Sequence, residues 1–228
     1  MTTCLGRIAS IALALASLVA SAGLFGPAAT AAAAVPLGGG AVIGVGDGYC
    51  TLTTIGHDNT GALVGFTAAH CGGLGAQVRA AVRGGALGSV VGANGHLDYA
   101  VIKFDPAKVA AIANFAGFAI NGIGPDPGIN QPACWFGAFT GNVCTYFVGL
   151  PLPVPRRSLW QSVQPGDDGG PVTSNDLLIG MILEGYDHLG GQVEDAPWPA
   201  TRVLLFSAIL ADLDATAGPG AGFTPVPA

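Results

Sequence analysis

Two adjacent carboxylates sit in a glycine-rich hexapeptide, Gly166-Asp167-Asp168-Gly169-Gly170-Pro171. Upstream, Thr67-Ala68-Ala69-His70-Cys71 offers an imidazole beside a cysteine, and Asp98-Tyr99-Ala100-Val101-Ile102 places a carboxylate at the head of an apolar run. An imidazole can take a proton near neutral pH, and a carboxylate beside it fixes its tautomer and stabilises its charge. That pair could activate a hydroxyl, but the glycine-rich hexapeptide offers only the carboxylates of Asp167 and Asp168. Attack by a carboxylate on a peptide bond would give a reactive anhydride.

Side chains this far apart need strands to bring them together. Ala41–Val45, Leu63–Ala69, Ala76–Val82, Tyr99–Phe104, Val143–Leu150 and Leu177–Leu183 read as short apolar strands separated by Gly-rich turns. Many short strands at close spacing predict an all-β barrel or sandwich. Only the stretch after Arg202 has helical periodicity, with Leu205, Ile209, Leu210 and Leu213 on one side, and it predicts a helix from about Phe206 to Asp214.

The amino-terminal stretch stands apart. Arg7 is its only charge before Asp47, an apolar segment runs from Ile8 to Phe25, and an alanine-rich stretch ends near Ala34. This is the layout of a secretory signal peptide over residues 1–34. A retained anchor is the alternative, but the segment is barely long enough to span a bilayer. A mature chain of about 194 residues suffices for one sizeable core or two small packed units. Gly122 to Pro132, with three prolines, reads as a linker. The expected organisation is 35–124 as one unit, 125–217 as a second with the helix, and 218–228 as a flexible tail. The whole chain has eight basic and fourteen acidic residues. So acidic a chain has no electrostatic footprint for nucleic acid. Cys4 leaves with the signal, and the remaining Cys50, Cys71, Cys134 and Cys144 allow three disulfide pairings in an oxidising space. With no Cys-x-x-Cys, no metal site is expected, and no cofactor is indicated.

The three motifs, in this order, resemble those of chymotrypsin-like (trypsin-like) serine proteases, whose nucleophile loop reads Gly-Asp-Ser-Gly-Gly-Pro. The likeness is greatest to the compact secreted bacterial branch. It extends to Cys134-Trp135-Phe136-Gly137-Ala138-Phe139-Thr140-Gly141-Asn142-Val143-Cys144 and to Leu178-Ile179-Gly180-Met181-Ile182-Leu183-Glu184-Gly185. The resemblance implies two six-stranded-type antiparallel β-barrels with a cleft between them, an extracellular location and local disulfides Cys50–Cys71 and Cys134–Cys144. It assigns His70 as base, Asp98 as orienting carboxylate, Asp168 to the nucleophile position, the backbone of Gly166, Asp167 and Asp168 to the oxyanion hole, and Leu183, Glu184 and Gly185 to the substrate cleft.

Three departures meet at that site. Asp168 replaces the serine, and every aspartate codon lies at least two base changes from every serine codon. Trp135 stands where the bacterial branch has an arginine that pairs with the aspartate at Asp167. Leu183 stands where the family has a serine supporting the aspartate at Asp98. Ser158 and Ser162 lie nearby in sequence but off the expected turn. Glu184 in the cleft would favour basic peptides, unless it is a solvated loop-edge carboxylate, and Arg156-Arg157 reads as an exposed loop pair. The expectation is a degenerate triad in a pseudoprotease that binds an extended peptide or protein as a monomer. The alternative is a hydrolase with an altered nucleophile.

Overall fold

The computed structural model describes residues 33–80, 84–148, 156–159, 163–183 and 201–228. The signal peptide expected over residues 1–34 falls outside them apart from its last two residues, and Glu184, Gly185 and Ser162 also lie outside. No helix among the described residues is long and apolar enough to cross a membrane.

Two curled antiparallel sheets carry the chain. The first runs, edge to edge, through Thr224–Pro225, Thr54–His57, Leu63–Thr67, Tyr99–Phe104, Gly88–Asn94, Gln77–Ala80, Val42–Val45 and Gly48–Thr51. In the second, Leu177–Leu183 pairs with Pro171–Ser174, followed by Pro132–Gly137, Gly141–Val148, Arg156–Leu159 and Thr201–Leu205. Thr201–Leu205 pairs back onto Leu177–Leu183, closing a six-stranded ring and removing its edges.

The uninterrupted apolar runs follow from strands buried on both faces. In Tyr99–Phe104, Ala100, Ile102 and Phe104 point into the first barrel, while Tyr99 and Val101 face the layer between the barrels. In Leu177–Leu183, Ile179 and Ile182 fill the second barrel, while Leu178, Met181 and Leu183 join that same intermediate layer. Phe66, Phe206 and Phe223 meet there edge-to-face, with ring centroids 4.8 to 6.0 Å apart. The helix Phe206–Thr216 buries Phe206, Ile209 and Leu213 on this layer and runs two residues past the expected Asp214.

Arg156-Arg157, expected as an exposed loop pair, instead opens the strand Arg156–Leu159 and is half-buried, because both residues pair with Thr201–Leu205. Two boundaries also differ from expectation. Gly122–Ile123 pairs in parallel with Leu177–Leu178, so the second sheet takes up the chain ahead of residue 125, within the supposed linker. Residues 218–228 are no loose tail. Phe223 is buried, and Thr224–Pro225 pairs with Gly56–His57 on the opposite barrel's edge strand. Burial of one aromatic and the covering of an exposed sheet edge outweigh the segment's Gly/Pro-rich composition.

Candidate active site

His70 stands in a single 3-10 turn, Ala69–Cys71, directly after the buried strand Leu63–Thr67. The disulfide Cys50–Cys71, with Cα atoms 6.2 Å apart, ties that turn to the strand Gly48–Thr51. Asp98 closes the turn before Tyr99–Phe104 with φ +67°, a left-handed conformation that aspartate tolerates better than most residues. Its Oδ1 accepts the His70 amide at 3.0 Å, and its Oδ2 lies 2.8 Å from His70 Nδ1.

Asp168 reaches His70 from the other barrel. Its side chain is only 4% exposed, and Oδ2 lies 3.5 Å from His70 Nε2. The structure therefore brings His70, Asp98 and Asp168 together, with the imidazole between two carboxylates. Asp168 first, and Asp98 after it, hold the His70 pKa up to about 10 against the opposing effect of burial.

The loop bearing Asp168 is held by three threonines of the first barrel that the motif reading did not single out. Thr51 donates its amide to Asp168 O at 2.8 Å and its hydroxyl to Gly166 O at 2.9 Å. Thr53 Oγ1 donates to Gly169 O at 2.6 Å, and Thr67 Oγ1 to Thr51 O at 2.9 Å. All three are fully buried, where an unmatched hydroxyl would be costly. Gly169 is obligatory in this clasp. Its φ is +84°, and a Cβ would lie 2.3 Å from Thr51 O and 2.4 Å from Thr67 Oγ1. The signal available in sequence was the polar series Thr51, Thr53, Thr54 amid apolar strands.

Three expected assignments change. The Asp167 amide gives no donor to an oxyanion hole, because it closes a tight turn onto Gln164 O at 3.0 Å. Nor is its carboxylate left unpartnered by Trp135. Oδ1 accepts the Phe139 and Thr140 amides at 2.9 and 3.1 Å, while Oδ2 accepts the Gln164 amide at 2.8 Å and the Thr140 hydroxyl. A hairpin turn thus replaces the arginine, and Trp135 becomes core, fully buried in the second barrel. Leu183 lines no open cleft either: it is 4% exposed and packed in the layer between barrels.

The second disulfide, Cys134–Cys144, joins directly paired positions of the hairpin Pro132–Val148 that carries this turn, with Cα atoms 3.9 Å apart. Gly137 lies in the same hairpin, where a Cβ would fall 2.3 Å from Asp167 Oδ1.

Two closed or curled antiparallel barrels, with a histidine–aspartate pair on one and a glycine-rich loop on the other, define the chymotrypsin-like double β-barrel fold. Solved structures agree. Thermobifida fusca protease A superposes with a TM-score of 0.66 at 18% identity over 85% of this chain and 100% of that one. An alpha-lytic protease homolog, N4, gives 0.61 at 24% over 83% and 99%. Cellulomonas bogoriensis chymotrypsin gives 0.58 at 21% over 85% and 100%. No family model and no curated protein matches the sequence. The likeness to these bacterial serine proteases is one of fold.

Proposed function

We propose that this chain is a secreted pseudoprotease: it keeps the two-barrel scaffold of a serine peptidase, lacks its hydrolytic chemistry, and binds an extended peptide or protein segment in the cleft between the barrels. The observation that carries the reading is the imidazole of His70 held between Asp98 and the buried Asp168. A serine peptidase needs a neutral imidazole to take a hydroxyl proton and amide donors to hold the developing oxyanion. Here the hydroxyl is missing, the ring is held protonated, and the Asp168 carboxyl group sits on the loop that would supply the amides of Gly166 and Asp168. Peptide binding by strand addition needs none of those groups, only backbone and side-chain pockets. The disulfides and the apolar leader support secretion. The acidic balance argues against nucleic acid as partner.

The test joins two assays on the mature protein. A fluorophosphonate probe should leave it unlabelled, and a library of extended peptides should yield ligands that compete for one site. Covalent labelling of Ser158 or Ser162 would replace this reading with a hydrolase using a substitute nucleophile. The absence of any peptide ligand would remove the binding role.

A further inference from the structure

The helix Phe206–Thr216 sends one carboxylate toward the first barrel. Asp212 Oδ2 accepts the Asn94 amide Nδ2 at 2.9 Å and the hydroxyl of Tyr99. Both partners bracket the turn that ends in Asp98. Asn94 Oδ1 in turn accepts the His96 and Leu97 amides at 3.0 and 3.1 Å, and Asn94 O accepts the Asp98 amide at 2.7 Å. Every residue of the turn except Gly95 is therefore tied to Asn94, and Asn94 is tied to Asp212. Arg156 of the second barrel adds a further tie, donating to His96 O at 3.0 Å.

Asp98 needs such holding. It sits at φ +67°, a backbone conformation that persists in L-residues only where the surroundings impose it. It is also the residue whose two oxygens fix the His70 amide and ring. We propose that Asp212 is a positioning residue for the His70 site: from the carboxy-terminal helix it fixes Asn94 and Tyr99, and through them the turn that aims Asp98 at His70. The chain of contacts runs Asp212, Asn94, Asp98, His70, and needs only the geometry of the site, whatever the cleft binds.

Asp212 lies at the edge of a cavity of about 410 Å³ and stays partly exposed. Alanine there keeps helix propensity. The Tyr99 and Asn94 hydrogen bonds hold the Asp212 carboxyl below its usual range, and burial with the Asp212 contact pushes the Tyr99 hydroxyl up. The three groups therefore interact as an ionised acceptor with two donors.

Two variants separate positioning from plain charge. Asp212→Ala removes the acceptor and the charge, whereas Asp212→Asn removes the charge and keeps an oxygen for Asn94 and Tyr99. NMR should show the His70 ring pKa falling by about one unit or more in Asp212→Ala and remaining near wild type in Asp212→Asn. Exchange of the His70 amide, which donates to Asp98, should quicken about tenfold in the alanine variant only. Equal falls in both variants would reduce Asp212 to a distant charge and overturn the proposal, as would no change in either. The amide readout decides the matter even if the wild-type ring titrates at an ordinary pH. Should Asp212→Ala not fold, Asn94→Ser keeps an oxygen for the turn amides but does not reach Asp212. The same two changes are then expected, and their absence overturns the proposal.

Discussion

Asp168 and Asp98 approach His70 from opposite barrels, at 3.5 Å from Nε2 and 2.8 Å from Nδ1, so both ring nitrogens face a carboxylate. A serine at residue 168 would present a hydroxyl to a neutral ring. Aspartate presents an acceptor that rewards the ring for keeping its proton. The three-residue convergence thus forms an ion pair across the barrel interface.

That ion pair makes stability depend on pH in a definite sense. The folded-state pKa of His70 is raised, from an ordinary 6.5 to about 10. A raised pKa means that the folded protein binds the proton more tightly than the unfolded chain. The contribution is fully present below the unfolded value and is lost as pH climbs through the folded one. Urea midpoints should fall between pH 6.5 and 10 in the wild type, and Asp168→Asn should flatten that slope. Equal slopes in the two proteins would contradict the ion pair.

Asp168→Ser places a hydroxyl on the loop without supplying the other groups of a serine-peptidase site. Asp167 is already fully hydrogen-bonded, so Trp135 is no obstacle. Leu183 remains apolar and buried, with no hydroxyl to support Asp98. The Asp168→Ser variant should label with a fluorophosphonate yet turn peptides over at least about a hundredfold below ordinary enzyme rates, because triad groups act as a unit. Turnover at about 10 per second would show that Leu183 does not matter.

Asp167→Ala should be among the more damaging single changes in the protein. It strands the Phe139, Thr140 and Gln164 amides that now bond a buried carboxylate. A loss of about 3 kcal/mol or more is expected from chemical denaturation. A loss below about 1 kcal/mol would mean that the turn finds other partners.

Gly169→Ala drives a Cβ into Thr51 O and Thr67 Oγ1 from a left-handed backbone. A destabilisation of about 4 kcal/mol or more is expected, enough to show as loss of soluble folded protein on expression. Gly61→Ala is the control: its φ is also positive, but its Cβ would meet nothing within 4 Å, so only the smaller backbone strain remains.

Local pattern revealed the strands that carry the site and not the contacts that lock it. Tyr99–Phe104, Leu177–Leu183 and the helix start at Phe206 stand where periodicity placed them, because both faces of those strands are buried and their apolar runs are continuous. The motif order also anticipated the meeting of His70, Asp98 and Asp168. Hidden from sequence were bonds that span about a hundred residues: Thr51 to Gly166, Thr53 to Gly169, Asn94 to Asp212. No local rule marks one threonine among many as the partner of a distant carbonyl. The pinned carboxy terminus was missed for a similar reason, since Phe223 reveals its role only when Phe66 and Phe206 are seen beside it. The partners of Asp167 are illegible for another reason: an arginine is visible as a residue type, whereas the hairpin amides that hold this carboxylate leave no mark in side-chain identity.

The most direct measurement is the NMR titration of the His70 ring in the protein and in Asp168→Asn. The ion pair predicts a wild-type pKa well above 6.5, near 10, and a lower value in the asparagine variant. A wild-type value at or below that of Asp168→Asn would mean that Asp168 does not hold the imidazole protonated, and the electrostatic basis for an inactive site would be gone.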